Sequence, residues 1–471
     1  MSEEQEKNLK KKVIFGLSAF PDQLTYQAFT IYVFTFYFAV VGLSMLDMWI
    51  GFIIWGFWNM INDPLLGTLS ERTKQKGRLG KRKFYLIISF VPLSLMMIFL
   101  FTTPTSFKFI YFLIIIFTFE FFYTMFSVNN NAVFPEMFPT ENERATTNIF
   151  IKIFTMIAVI LASIIPTFIV DPLVPTSYPP DPAEATNIQS MYITAGIVLC
   201  IIVALMAFLF IFFAVEEKSE DVSDFEKRPG FFESLKITFS NRTFVKFTIG
   251  NMLIWYCFNL LLTTFPLYAV FVLGRTTGSL LIGITLMLAL VSAAIFVPIQ
   301  TKIRSKVGTR NGLMIGLGIW IITLFPLTLL SNNDISRTMS FLIFASLGFG
   351  ISSALFYIDL IHGDVIDQDA LNFGVKRAAS YYGVNAFIHR FSIIIAITTI
   401  AFIFSGTGWS EYVPVTANPA LTVLGLKLLM FLFPSIALIG SIICFKLYEL
   451  HGEKLKNMRA ELEKHPELKP Q

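Results

Sequence analysis

Apolar runs near twenty residues long recur along the whole of this 471-residue chain, and that recurrence limits its fold more than any other feature. A helix rising about 1.5 Å per residue needs about 20 such residues to cross a ~30 Å hydrocarbon core. The runs fall at roughly 13–41, 47–69, 84–102, 107–133, 146–170, 189–215, 243–272, 277–300, 311–331, 338–360, 379–405 and 419–448. Helix is expected for each, because a single helical span satisfies its own backbone hydrogen bonds inside lipid. The alternating ten-residue segments of a membrane barrel are absent. Only 14% of the residues are charged, against about 25% in a soluble globular chain, which is excluded. The expectation is an all-α membrane protein of twelve transmembrane helices.

Lys and Arg gather on one side of these spans. That side holds Lys7 to Lys12, the loop ERTKQKGRLGKRK, Arg144, TKIRSKVGTR, Lys376, Arg377 and the C-terminal segment; the opposite loops hold only Lys108, Arg275 and Arg337. Both termini are therefore expected in the cytoplasm. The N-terminus MSEEQEKNLKKK lacks the short apolar core of a cleaved leader, so the first span is expected to direct insertion. The long polar break around EEKSEDVSDFEKRPGFFESLKITFSNR suggests a six-helix half at 1–215, a cytoplasmic linker at 216–242, a second six-helix half at 243–448 and a cytoplasmic tail at 449–471. The halves echo each other: Pro64 precedes KGRLGKRKFYL as Pro298 precedes SKVGTRNGLMIG. Paired halves of this kind are the pattern of secondary transporters. Cys200, Cys257 and Cys444 lie far apart, without metal or redox spacing.

A charge at membrane depth costs at least about 2.5 kcal/mol and needs a reason. Asp22, Asp63, Glu120, Lys152 and Arg390 are the main instances, with Lys427 near a span end. Counting along the spans puts four of the five in a layer roughly 9–16 Å from the cytoplasmic surface, with Glu120 nearer the midplane. They are expected to converge on a water-filled cavity walled by spans 1, 2, 4, 5 and 11. In FWNMINDPLLG, Asn59 and Asp63 stand four residues apart and share a helix face. Their hard oxygen atoms suit Na+ or, for Asp63 alone, a proton; Pro64 removes a helical donor, which makes the carbonyl of Met60 a further candidate ligand. A structural polar pair beside a kink is the alternative. In SAFPDQLTYQ, Asp22, Gln23 and Thr25 crowd behind Pro21. Thr124, Ser127 and Asn129 to Asn131 form a strip suited either to hydrogen-bonding a substrate or to joining helices. Trp49, Trp409, Tyr381 and Tyr382 are expected as interface anchors, and the 52 phenylalanines as lipid-facing bulk.

From NDPLLG and GRLGKRKFYL outward, the chain resembles the glycoside–pentoside–hexuronide:cation symporters of the major facilitator superfamily. VVGLS, FPEMFPTENERATTN, GDVIDQD and NAFIHRF extend the resemblance over nearly the whole length. It implies the major facilitator fold of two six-helix halves. In that family two Asp residues one turn apart on helix 2 form the cation site; here the second is Asp63 and the first is replaced by Asn59. A weaker sodium site and proton coupling both stay open. Arg390 stands where the family usually has a coupling Lys on helix 11. Of a melibiose-type sugar site, Asp22 matches the helix 1 carboxylate allowing a one-residue gap, while Ser127 and Lys152 replace a carboxylate and an Arg. FGLSAFPDQLT, YFLIIIFTFEFFYTMFSV and GDVIDQD also resemble the sodium-dependent lysophosphatidylcholine symporter branch, through Pro21, Gln23, Phe119, Glu120, Asp364 and Asp367.

The expected function is symport of Na+ or H+ with a small organic solute, a sugar, glycoside or hexuronide; a lysophospholipid or other amphiphile is the alternative. The cation falls to Asp63 and Asn59, coupling to Arg390, and the substrate to Asp22, Gln23, Glu120, Ser127, Asn130 and Lys152. No cofactor beyond the cation and no nucleic acid are expected; the partners are the solute and membrane lipid, and the working unit is a monomer in the cell membrane. No Ser-His-Asp set, metal cluster or phosphate loop points to an enzyme, and no repeated pore-lining ring points to a channel.

Overall fold

The computed structural model describes residues 3–72, 80–138, 141–177, 181–216, 238–374, 378–413 and 421–464. Most of the expected linker, part of the first basic loop, Lys376, Arg377 and the end of the tail lie outside the described residues. Among those described, the regular structure is helical throughout.

The first span is an interrupted rod. Helix α1 (Glu3–Gly16) leads into a wide π-type turn, Phe20–Leu24, then α2 (Thr25–Thr35), then a second wide turn, Phe36–Val40. Pro21 lies in the first of these turns, where a ring without an N–H cannot continue a regular helix. The Thr25 hydroxyl donates to the Pro21 carbonyl at 2.7 Å. Wide turns of this kind concentrate at functional sites, and this one carries Asp22 and Gln23. Five helices follow: α3 (Met45–Arg72), α4 (Lys81–Phe99), α5 (Lys108–Met137), α6 (Glu141–Ile169) and α7 (Pro182–Phe213). Asp181 caps α7 by accepting from the Ala183 amide, with Pro182 in the first turn.

The later helices are α8 (Arg242–Phe271), α9 (Leu280–Val307), α10 (Thr309–Leu324), α11 (Asp334–Phe373), α12 (Ala378–Gly406), α13 (Thr422–Met430), α14 (Leu432–Lys446) and the polar α15 (Gly452–Glu463). Ten helices among the described residues are long and apolar enough to cross a membrane. The other two expected spans coincide with the interrupted rod and with α3.

The chain divides into two compact units. The first comprises Met1–Val222, Arg275–Met287 and Gly408–Pro419; the second comprises Ser223–Gly274, Leu288–Thr407 and Ala420–Gln471. In the first unit α4 packs on α5 and α7, and α3 packs on α5. Leu66, Tyr85 and Met125 meet where α3, α4 and α5 join. Gly196 lets α7 approach α4 closely, because a methyl group there would overlap the Met97 carbonyl. In the second unit α8 packs on α12, α13 and α14. Gly312 and Gly316 form a small-residue stripe on α10 against Tyr357 and Ser353 of α11.

Two expectations are corrected here. Many phenylalanines are interior, not lipid-facing: Phe15, Phe34, Phe36 and Phe38 are fully buried, and Phe29 stacks on Phe119 with centroids 4.7 Å apart. Lipid offers helices no hydrophobic drive to associate, so flat rings that pack densely supply dispersion contacts instead. Trp409 and Tyr381 are also buried and are not interface anchors. The Trp409 Nε1 donates to the Val413 carbonyl at 3.3 Å, and the Tyr381 hydroxyl accepts from Asn241 Nδ2 at 3.1 Å. Their polar tips find protein partners and need no headgroup region.

Candidate functional site

Helix α3 carries Asn59, Asn62 and Asp63 at i, i+3 and i+4, which places all three on one face. That face meets α5. Asn62 is fully buried, and its Nδ2 donates to the backbone carbonyl of Glu120 at 3.1 Å. The Thr124 hydroxyl donates to Asp63 Oδ1 at 3.0 Å and lies 3.4 Å from Glu120 Oε1. Glu120 and Thr124 are themselves one turn apart on α5, so a single hydroxyl stands between two carboxylates from different helices. One hydroxyl proton serves one carboxylate at a time. Two carboxyl groups from different helices thus approach one hydroxyl at the α3–α5 junction.

Asn59 sharpens this arrangement. It is 1% exposed, yet neither its Oδ1 nor its Nδ2 makes a hydrogen bond among the described residues. A buried amide left unsatisfied costs on the order of 1–3 kcal/mol. The Asn62 Oδ1 is likewise without a partner there. Two open amide oxygens beside two carboxylates make a hard-oxygen donor set of the type that holds a small cation. Asn62 was missed by sequence reasoning although its signal was present, in the i, i+3, i+4 spacing with Asn59 and Asp63.

The remaining first-unit candidates divide. Gln23 Nε2 donates to Asp22 Oδ2 at 2.8 Å, and their wide turn packs against α5, α6 and α7. Nearby, Tyr26 stacks on Tyr123 with centroids 5.0 Å apart, which sets an aromatic surface next to Thr124. Ser127 is half-buried, and Asn130 is buried with its Oδ1 unbonded among the described residues. Asn129 is inter-helix glue: its Oδ1 accepts from Ser70, whose Oγ also accepts from Arg82 at 3.1 Å. Arg82 Nε in turn pairs with Glu136 at 3.2 Å, so α3, α4 and α5 are tied by polar bonds. Asn131 is exposed. Lys152 lies on an exposed face of α6 and takes part in no hydrogen bond or ion pair among the described residues.

Arg390 belongs to the second unit, half-buried on α12. Asn385, His389 and Ser392 are the polar side chains near it on that helix. Asn385 Oδ1 accepts from Thr248 Oγ1 at 3.0 Å and from Asn251 Nδ2 at 3.2 Å. Asn259 Nδ2 donates to Ser392 Oγ at 3.1 Å, and the His389 ring lies 4.6 Å from that of Trp255.

The profile of one family, MFS/sugar transport protein, matches residues 14–452. The chain belongs to this family. It is thus a membrane transporter of the major facilitator fold, and not an enzyme. The putative sulfoquinovose importer of Salmonella typhimurium is 21% identical to the transporter over 95% of this chain and 91% of its own length. The sodium-dependent lysophosphatidylcholine symporter 1 of Xenopus tropicalis is 23% identical over 60% of this chain and 53% of its own. The crystal structure of the nucleoside transporter NupG superposes with a TM-score of 0.65, covering 93% of this transporter and all of that chain at 12% identity. The fold is shared at that distance.

Proposed function

We propose that the transporter is a secondary active symporter in which Na+ or H+ binds at Asp63 and drives uptake of a sugar, glycoside or hexuronide. The observation that carries this reading is the unsatisfied, buried Asn59 amide one turn before Asp63, on the face that meets Glu120 and Thr124. The cation neutralises the carboxylates and organises both amides. Glu120 thereby joins the cation cluster as well as bordering the substrate. Asp22, Gln23, Ser127, Asn130 and Lys152 supply the remaining substrate contacts, and Arg390 is the coupling cationic side chain. Coupling needs only that the cation and the solute bind the two access states with different affinity. The basic side of the spans is cytoplasmic, both termini lie there, and one chain is the working unit. The family's description and the relative named for sulfoquinovose favour a sugar-like solute. A lysophospholipid is the second reading, favoured by the relative named for lysophosphatidylcholine.

Reconstitution into liposomes tests the proposal. An imposed Na+ or pH gradient drives accumulation of the solute by the wild type, and Asp63→Ala abolishes it while remaining folded. Normal accumulation by that variant would sink the reading. Screening sugars, hexuronates and lysolipids for thermal stabilisation identifies the solute, since a ligand that binds the folded state raises its melting temperature.

A further inference from the structure

A recess of about 630 Å³ opens at one end of the second unit, between the turn joining α9 to α10 and helix α15. Its volume suits a small organic ligand. Four cationic side chains line it: Arg304 and Arg310 beside the turn, and Lys456 and Arg459 three residues apart on α15. Two acids, Asp364 and Glu453, line it as well. Asp364 is engaged, because Arg459 Nη2 pairs with its Oδ1 at 2.6 Å. Among the described residues Arg310 donates to neutral acceptors: Asn311 Oδ1, and the carbonyls of Lys446 and Tyr448 at 3.4 Å each. Arg304 and Lys456 take part in no hydrogen bond or close ion pair among the described residues, although the Arg304 charge also acts on Asp364.

The backbone contributes a second element. Helix α10 starts at Thr309 behind Gly308, whose φ of 83° favours glycine, and no side chain caps it. The amides of its first turn have no intrahelical acceptors, and Gly308, Thr309, Arg310 and Asn311 all border the recess. Such a helix start favours an anion. His451, at the rim, is held below its ordinary pKa by partial burial and by the charges of Arg310 and Lys454.

We propose that this recess binds a phosphate-bearing anion. The surplus of cations, the planar guanidinium forks and the uncapped helix start each match tetrahedral oxyanion chemistry. Two sources share that chemistry. One is the anionic headgroup of a lipid, for which basic recesses at the cytoplasmic ends of membrane helices are suited. The other is a soluble phosphate. Either occupant bridges α15 to the α9–α10 turn, where Arg459 and Asp364 are otherwise the direct ionic link from α15 to α11.

The test uses the purified full-length chain with three probes: inorganic phosphate, dioctanoyl phosphatidylinositol 4-phosphate, and zwitterionic dioctanoyl phosphatidylcholine. Thermal stability and native mass spectrometry are read for the wild type, for Arg304→Gln with Lys456→Gln, and for Lys456→Arg. The wild type should be stabilised by a phosphate-bearing anionic probe and not by phosphatidylcholine. The double variant should bind about tenfold more weakly, and Lys456→Arg should retain binding. A response to the phosphoinositide alone assigns the site to a headgroup; a response to inorganic phosphate as well assigns it to soluble phosphate. The proposal is overturned when neither anion stabilises the wild type, or when the double variant responds like the wild type. Gel filtration and an unchanged melting temperature without ligand establish that the variants fold, and each single substitution serves if the double variant does not.

Discussion

The two units place polar groups at membrane depth by different means. In the first, carboxyl groups from α3 and α5 approach one hydroxyl, and the Asn59 amide and the Asn62 Oδ1 make no hydrogen bond among the described residues. In the second, the hydrogen bonds between α8 and α12 run among amides and hydroxyls, Asn385 with Thr248 and Asn251 and Asn259 with Ser392, with the cationic Arg390 on the same helix and the Asn251 Oδ1 unbonded among the described residues. The contrast separates two uses of polarity in lipid. A set of bonded neutral groups joins helices. A pair of carboxyl groups beside amide oxygens offers hard oxygen donors, which is what the proposed cation site requires.

The strongest way to break this contrast is Asp63→Asn. Loss of a charged ligand, worth about 3 kcal/mol, should weaken cation binding roughly 100-fold. Titration of cation-dependent thermal stabilisation measures it, and an unchanged titration would remove Asp63 from the site. Gly316→Leu probes the second unit's packing. A side chain there overlaps Ser353, so a loss of about 1–3 kcal/mol is expected. Its melting temperature should fall, while the cation response of the folded fraction stays as in the wild type.

Thr124→Val removes the hydroxyl between Asp63 and Glu120. A cost of about 1 kcal/mol, or roughly fivefold in cation affinity, is expected, with Thr124→Ser restoring it. Asn385→Ala is the matched change in the second unit. It loses two helix-joining bonds, each worth on the order of 0.6 kcal/mol, and should lower the melting temperature slightly without altering the cation titration. If Asn385→Ala shifted that titration as far as Thr124→Val, the contrast between the units would fail.

The smallest expected effect lies outside the membrane. Lys246 Nζ donates to Glu449 at 2.6 Å, and this bond and charge hold the Glu449 carboxyl below its ordinary 4.5. A depressed carboxylate contributes stability that is present above the unfolded pKa and is lost as pH falls through the folded pKa. The difference in melting temperature between wild type and Glu449→Gln should therefore be small at neutral pH, shrink as pH falls below about 4.5 and vanish once pH is below the folded pKa. A difference that grew on acidification would contradict the pairing.

The Asn59–Asp63 spacing was legible because an i, i+4 pair shares a helix face wherever the helix sits. The polar cluster behind Pro21 was legible as a cluster, and the structure sets Asp22 and Gln23 in a wide turn that contains that proline. The meeting of Asp63 with Thr124 was not legible, since 61 residues separate them. The asparagine strip on α5 read as one feature, yet it divides: Asn129 joins helices, Asn130 is buried and Asn131 is exposed. Trp409 and Tyr381 misled because an aromatic at a span end is polar enough for the interface, and nothing local reveals that a protein acceptor lies within reach.

The sequence by itself determined the helical class, the position of the spans and their expected orientation. Hydrocarbon leaves a spanning segment little choice but helix, and Lys and Arg in the flanks set its direction. It also determined that a few charged groups must stand at membrane depth. Only the tertiary structure decided which of them meet. Helical periodicity assigns a side chain a face and a depth, but the element opposite that face is set by how the helices pack, and in lipid that depends on close van der Waals fit and on polar bonds between helices.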